Sequence, residues 1–301
     1  MRQWVRLAFP KTHLERRKRA GFLFVLPALL FFGSVFIVPL AQSVMYSFYR
    51  IQPGGAKEFV GLGRYEKVLT DSTFWSAVGN TVQLLLFSVP ATVVLALAVA
   101  LGLNQIASLK WRNVWASMYF LPFATSLVAA ALVWQWIYEP VYGFLNYALS
   151  FVGIPPQKWL QSLVEVKPAI AAVSVWVRIG FDTMIFLAAL QSIPQEYYEA
   201  AGIDGASAVQ RLRYITLPGI KPTIALLTVL SVTGSLLAFD QFYVLTHGGP
   251  DNSTMTVVLA LYNKAFQSYR LGDAAAEAVV PLVALIVLNF VQLRLLRTKE
   301  D

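Results

Sequence analysis

The chain has no cysteine, which excludes disulfides, thiolate zinc sites and cysteine nucleophiles. Histidine is nearly absent as well. The only two, His13 and His247, lie far apart, and no His-Glu-x-x-His pattern of a zinc hydrolase exists. There is no Gly-Lys dipeptide, so no phosphate-binding loop can hold ATP on this chain. Charge is scarce too: 13% of 301 residues, against about 25% in an ordinary soluble domain. Apolar side chains fill the gap at 57%, which marks a membrane protein. The net charge of +8 is not gathered into an aromatic-laced face of the kind that binds nucleic acid. It collects at the N-terminus and in loops, as membrane orientation requires.

Crossing the hydrocarbon core as a helix takes about 20 apolar residues. Six runs qualify, near 21–48, 77–103, 114–138, 168–190, 222–244 and 276–296. The first follows a basic segment, residues 1–20, in the order of a signal peptide. Its apolar run is much longer than the roughly 7–15 residues of a signal core, so it reads as an uncleaved span. Pro122, Gly234 and several hydroxyls interrupt the third and fifth runs. With both termini inside, fifteen Lys and Arg fall on the inner side and eight on the outer, with Arg178 left within a span. The excess favours cytosolic N- and C-termini. The expected fold is therefore an all-α membrane protein with six transmembrane helices.

Between the fourth and fifth spans lies a polar connection, 191–221, containing "QEYYEAAGIDGASAVQRLRYITLP". Ser192 with Gln195 fits a capping box, as does Ser207 with Gln210, and Pro194 suits a first helical turn. Glu196 and Glu199 sit near the start of the first helix, Arg211 and Arg213 near the end of the second, where each charge is favoured. Gly202 and Gly205 weaken continuation and Pro218 supplies a stop. Two short helices at an angle around Gly205, lying at the cytosolic membrane surface, are expected. Ala200, Ala201, Gly202, Gly205 and Ala206 leave a surface that another protein can approach closely; an ordinary solvated loop is the alternative.

Glu199-Ala200-Ala201, Gly205, Ile215 and Leu217-Pro218 reproduce a long gapped pattern. It resembles the cytosolic signature of permeases in binding-protein-dependent ABC importers. "FVGLGRY", "FWSAVGNT", "LTHGGPDNST" and "ALYNKAF" resemble the sugar-permease branch, of the maltose and glycerol-3-phosphate type, so the likeness covers nearly the whole chain. It implies a type I ABC importer permease, one domain over 1–301, in the cytoplasmic (inner) membrane of a prokaryote. It also implies partners: a second homologous permease, two ATP-binding subunits, an external solute-binding protein and membrane lipid, with no nucleic acid. ATP and Mg would sit on the ATPases, and no cofactor or metal on this chain. Glu199, Ala200, Ala201, Gly205, Ile215, Leu217 and Pro218 would couple it to them. By position, Ser174, Arg178, Phe181, Ser231 and Ser235 would line the solute pathway. Arg178 falls where an uncharged residue is more usual, which leaves an acidic or phosphorylated sugar open.

Arg178 and Asp182 are four apart and pair on one helical face, either as a packing pair or as a solute site. Ser231 and Ser235 share a face, where small hydroxyls also serve simply as packing surface. Thr233 is expected to bond its own backbone. Trp134, Trp136 and Tyr138 read as an interfacial aromatic belt. Asp240, Gln241 and Tyr243 fit a gate or a binding-protein contact, and Glu277 a water-facing mouth. Two rival readings stand beside the sugar permease. One is an ABC permease for a non-sugar solute. The other is an ion-coupled secondary transporter, which predicts internal repeats and gives no reason for the 191–221 signature.

Overall fold

The computed structural model of the chain describes residues 13–51 and 57–297. The basic segment 1–12 and Lys299 fall outside them. Helices α1 (His13–Phe32) and α2 (Val38–Tyr46) join through a π turn, Gly33–Ile37, into a first apolar arm. A two-stranded hairpin follows, β1 (Tyr49–Ile51) antiparallel to β2 (Lys57–Phe59), with Arg50 opposite Glu58. Then come α3 (Gly63–Thr70), α4 (Ser72–Asn104), α5 (Leu109–Ala124), α6 (Leu127–Ile137) and α7 (Phe144–Ser150). The second half runs through α8 (Val166–Gln191), α9 (Gln195–Ile203), α10 (Ala208–Arg211), α11 (Leu217–Gly219) and α12 (Lys221–Leu236). It closes with α13 (Asp240–Leu245), α14 (Val257–Tyr262) and α15 (Leu271–Arg297).

Four helical segments are long and apolar enough to cross a membrane, Ala20–Tyr46, Ser72–Asn104, Val166–Gln191 and Leu271–Gln292, or up to six if each bent pair is one span. The sequence expectation of six holds only on that second count. The third run, expected as one helix over 114–138, is bent by 96° between α5 and α6. Pro122 lies in the last turn of α5, and Thr125 and Ser126 take extended backbone angles. The fifth run also breaks. Leu237–Phe239 is not helical and separates α12 from α13.

α4 and α8 form the central pair. Asp71 caps α4 by accepting from the Thr73 N–H at 2.9 Å. Inside α4, the Thr81, Ser88 and Thr92 hydroxyls each donate to a carbonyl four residues back at 2.8 Å. That satisfies them without water, as a membrane interior demands. Small side chains bring the pair close: Ala96 and Ala100 are fully buried against the cluster of Phe186, Leu190, Ile220 and Leu227. At the other end Val166, Ile170 and Val173 pack with Leu84, Phe242 and Leu259. Gly180 faces α5 so closely that a β-carbon there would overlap the Tyr119 carbonyl.

Two expectations fail at the end away from 191–221. Glu277 is 1% exposed and does not face a water-filled mouth; it pairs with Lys264, which also reaches Asp71 at 3.5 Å. Tyr138 is buried and donates to the Ala169 carbonyl at 3.0 Å, so of the three belt candidates only Trp136 is fully outward. Both corrections have one cause: the segments 245–270 and 139–165 fold back over the helix ends and cover them.

Candidate functional site

Two regions carry the residues singled out from sequence. The first is the 191–221 connection. α9 ends at a left-handed Gly205, φ +74°, and the Ala206 N–H donates back to the Ala201 carbonyl at 2.8 Å. Glycine takes that conformation without strain and lets the chain turn sharply into α10. Ser207 accepts from the Gln210 N–H at 3.3 Å while Gln210 accepts from the Ser207 N–H at 2.7 Å, the reciprocal box expected. The Tyr198 and Thr216 hydroxyls share a hydrogen bond of 3.0 Å, tying α9 to the π turn Leu212–Thr216 that follows α10.

The other cap does not form. Ser192 is still the last turn of α8, where its hydroxyl donates to the Ala189 carbonyl at 2.7 Å, and Pro194 takes the cap position. Nor does Pro218 stop the helix. The π turn Leu212–Thr216 widens the backbone ahead of it, Pro218 sits at the start of α11, and the direction changes by 67° after Gly219. Glu199, Ala200, Gly205 and Pro218 are exposed; Ala201, Ile215 and Leu217 are half-buried. Around them Tyr197, Ile203, Val209 and Tyr214 stand in the open, Ile203 at 88% exposure. A cleft of about 520 Å³ between the arms is lined by Ile193, Tyr197, Ala200, Tyr214 and Ile215. Four large apolar side chains thus stand exposed on an otherwise polar connection.

The second region is one stripe of α8 against α12 and α13. Arg178 Nε donates to Asp182 Oδ1 at 3.2 Å, and Asp182, fully buried, accepts from the Ser231 hydroxyl at 3.3 Å on its other oxygen. Ser174 accepts from Gln241 at 2.7 Å and donates to the Ile170 carbonyl at 2.9 Å. Phe181 stacks on Phe123 with centroids 4.7 Å apart. Ser174, Arg178, Phe181 and Ser231 thus come together, and Ser235 lies one turn beyond Ser231, half-buried. Thr233 departs from expectation: it donates across to Asn289 on α15 at 3.1 Å. Asp182 and Gln241 belong to this polar stripe more closely than their sequence neighbourhood suggested.

At the end away from 191–221 the quoted motifs converge. Asn80 of "FWSAVGNT" donates to the carbonyls of Asn252 and Met255 at 2.9 and 3.2 Å, and Thr81 accepts from the Val257 N–H at 3.1 Å. Arg64 of "FVGLGRY" pairs with Asp273. No single motif announced these contacts; they join segments some 170 to 210 residues apart.

A family model described as binding-protein-dependent transport system inner membrane component matches residues 72–298. The trehalose/maltose transport system permease protein of Thermococcus litoralis is 36% identical over 290 residues, covering 95% of this chain and 96% of that one. The crystal structure of a bacterial ABC transporter involved in import of the acidic polysaccharide alginate contains a similar chain, with TM-score 0.83 at 25% identity, and each chain is fully covered. The alginate transporter with an alginate pentasaccharide-bound periplasmic protein gives TM-score 0.80 at 25% identity, over 92% and 93% of the two chains.

Proposed function

The chain belongs to the binding-protein-dependent transport system inner membrane components, and from that premise we propose how it moves its solute. It is a multi-pass permease of an ABC importer for sugars, seated in the inner membrane. With the four long helices, α5–α6 and α12 count as one crossing each, which makes six and leaves 191–221 outside the membrane, with both termini cytosolic as the distribution of Lys and Arg favours.

The observation that carries the coupling reading is the exposed apolar surface of 191–221, with Ile203, Val209 and Tyr214 open on a polar connection. In this reading α9 docks into a groove on a partner ATPase. Ala200, Ala201 and Gly205 permit close approach, and Glu199 supplies a polar contact. Ile215, Leu217 and Pro218 carry the displacement into α12, turning the pathway between inward- and outward-facing. ATP and Mg stay on the two ATPases, and this chain binds no cofactor or metal. A second homologous permease completes the pathway, and an external binding protein delivers the sugar. The related alginate transporter has been seen with its periplasmic protein bound. Ser174, Arg178, Phe181, Ser231 and Ser235 form this subunit's share of the lining.

Gly205→Pro removes the left-handed joint, since proline is confined to negative φ. Glu199→Lys reverses the exposed charge on α9. In proteoliposomes holding the complete importer, both variants are expected to remain folded yet to lose the coupling of ATP hydrolysis to uptake. Uptake and sugar-stimulated ATPase equal to wild type in both would refute the docking role.

A further inference from the structure

Arg178 is held from three directions and left unmet on a fourth. Its Nε donates to Asp182. Its Cζ lies 5.5 Å from the Phe181 ring, which the stack on Phe123 keeps in place. Its Nη1 occupies space beside Gly234, where a β-carbon would come within 3.3 Å. Nη2 is buried and has no hydrogen-bond partner among the described residues. Asp182 meets Nε with one oxygen and the Ser231 hydroxyl with the other, and makes no bond to Nη2. Beside the stripe, Ala171, Val175, Trp176 and Ile179 of α8 line an apolar cleft that holds no charged group.

A buried terminal nitrogen of a guanidinium left without a hydrogen bond is unfavourable until an acceptor arrives. Neutral sugar hydroxyls need no such charge, because uncharged hydroxyls and amides supply the donors and acceptors they use. The planar fork of Arg suits an oxyanion, which accepts two parallel N–H bonds. Resting on the reading of the chain as a sugar permease, we propose that its solute carries an anionic group, a carboxylate or phosphate. Arg178 takes that group through its terminal nitrogens, and Asp182 is a positioning residue that fixes the guanidinium.

The test uses the complete importer in proteoliposomes, with its binding protein, partner permease and ATPases. Three labelled probes are compared: a uronic-acid oligosaccharide, a neutral hexose oligosaccharide of equal length, and a hexose phosphate. Wild type is expected to import one of the two anionic probes at least about tenfold faster than the neutral one, the scale of a charge-assisted hydrogen bond. Whichever anionic probe is favoured distinguishes carboxylate from phosphate. Arg178→Gln should abolish that ratio and Arg178→Lys should restore part of it, a ratio that a merely structural ion pair would not move. The proposal is overturned if wild type favours the neutral probe, or if Arg178→Gln lowers all probes equally; the permease reading then stands. ATP-dependent uptake of none of the three would overturn both.

Discussion

Gly180 shows how much a single hydrogen in place of a methyl group can decide. It is the point where α5 and α8 meet backbone to backbone, at the Tyr119 carbonyl. Gly180→Ala forces the helices apart, an overpacking that costs about 1–3 kcal/mol. A lower midpoint of thermal inactivation in detergent is the expected outcome. Gly79→Ala in α4, where nothing lies within 4 Å, should leave the midpoint unchanged or slightly higher. At this scale the sequence was legible where the partner was local. Arg178 and Asp182 are one turn apart, and spacing alone pairs them. Glu277 and Thr233 were misread because Lys264 and Asn289 sit on other elements, and a buried acid paired at long range has no signature in its own neighbourhood.

At the scale of elements, caps and glycines were readable and wide turns were not. The Ser207–Gln210 box and the Gly205 joint follow local rules that need only four or five residues. Ser207→Ala should cost about 1 kcal/mol of local helix stability. Amide hydrogen exchange over 208–216 is expected to rise several-fold, with exchange in α4 unaffected; equal protection in both proteins would count against the cap. Ser192–Gln195 has the same letters and fails, since Ser192 is the C-cap of α8 and its hydroxyl donates back to the Ala189 carbonyl. Pro218 was read as a stop, yet a π turn ahead of it absorbs the missing donor. Nothing in the residues Leu212 to Thr216 signals that extra width.

Across the whole molecule, four apolar runs match the four long apolar helices to within five residues, while the bends and the covered ends came only from tertiary structure. Lys264 ties three distant parts: the cap of α4 at Asp71, its own π turn after α14, and Glu277 at the start of α15. Burial raises the Asp71 pKa, but hydrogen bonds from Thr73 and the charge of Lys264 outweigh it and hold the carboxyl below its usual range. A carboxylate depressed on folding stabilises the folded state above its unfolded value, about pH 4, and loses that contribution as pH falls through the lower folded value. Asp71→Asn retains a good capping residue, so it isolates the charge. The variant should be less stable than wild type at neutral pH, with the deficit closing below about pH 4. A deficit independent of pH would assign the effect to the cap instead.

α5 and α12 are each broken off at 16 residues. At 1.5 Å per residue that is roughly 24 Å, short of the hydrocarbon slab of about 30 Å. Both stumps flank Arg178, through Phe123 stacked on Phe181 and through Gly234 beside the guanidinium. Non-helical backbone at such depth is sustained only against protein or water. A hydrophilic passenger held at Arg178 is thus bordered by two helices that are each shorter than the bilayer is thick.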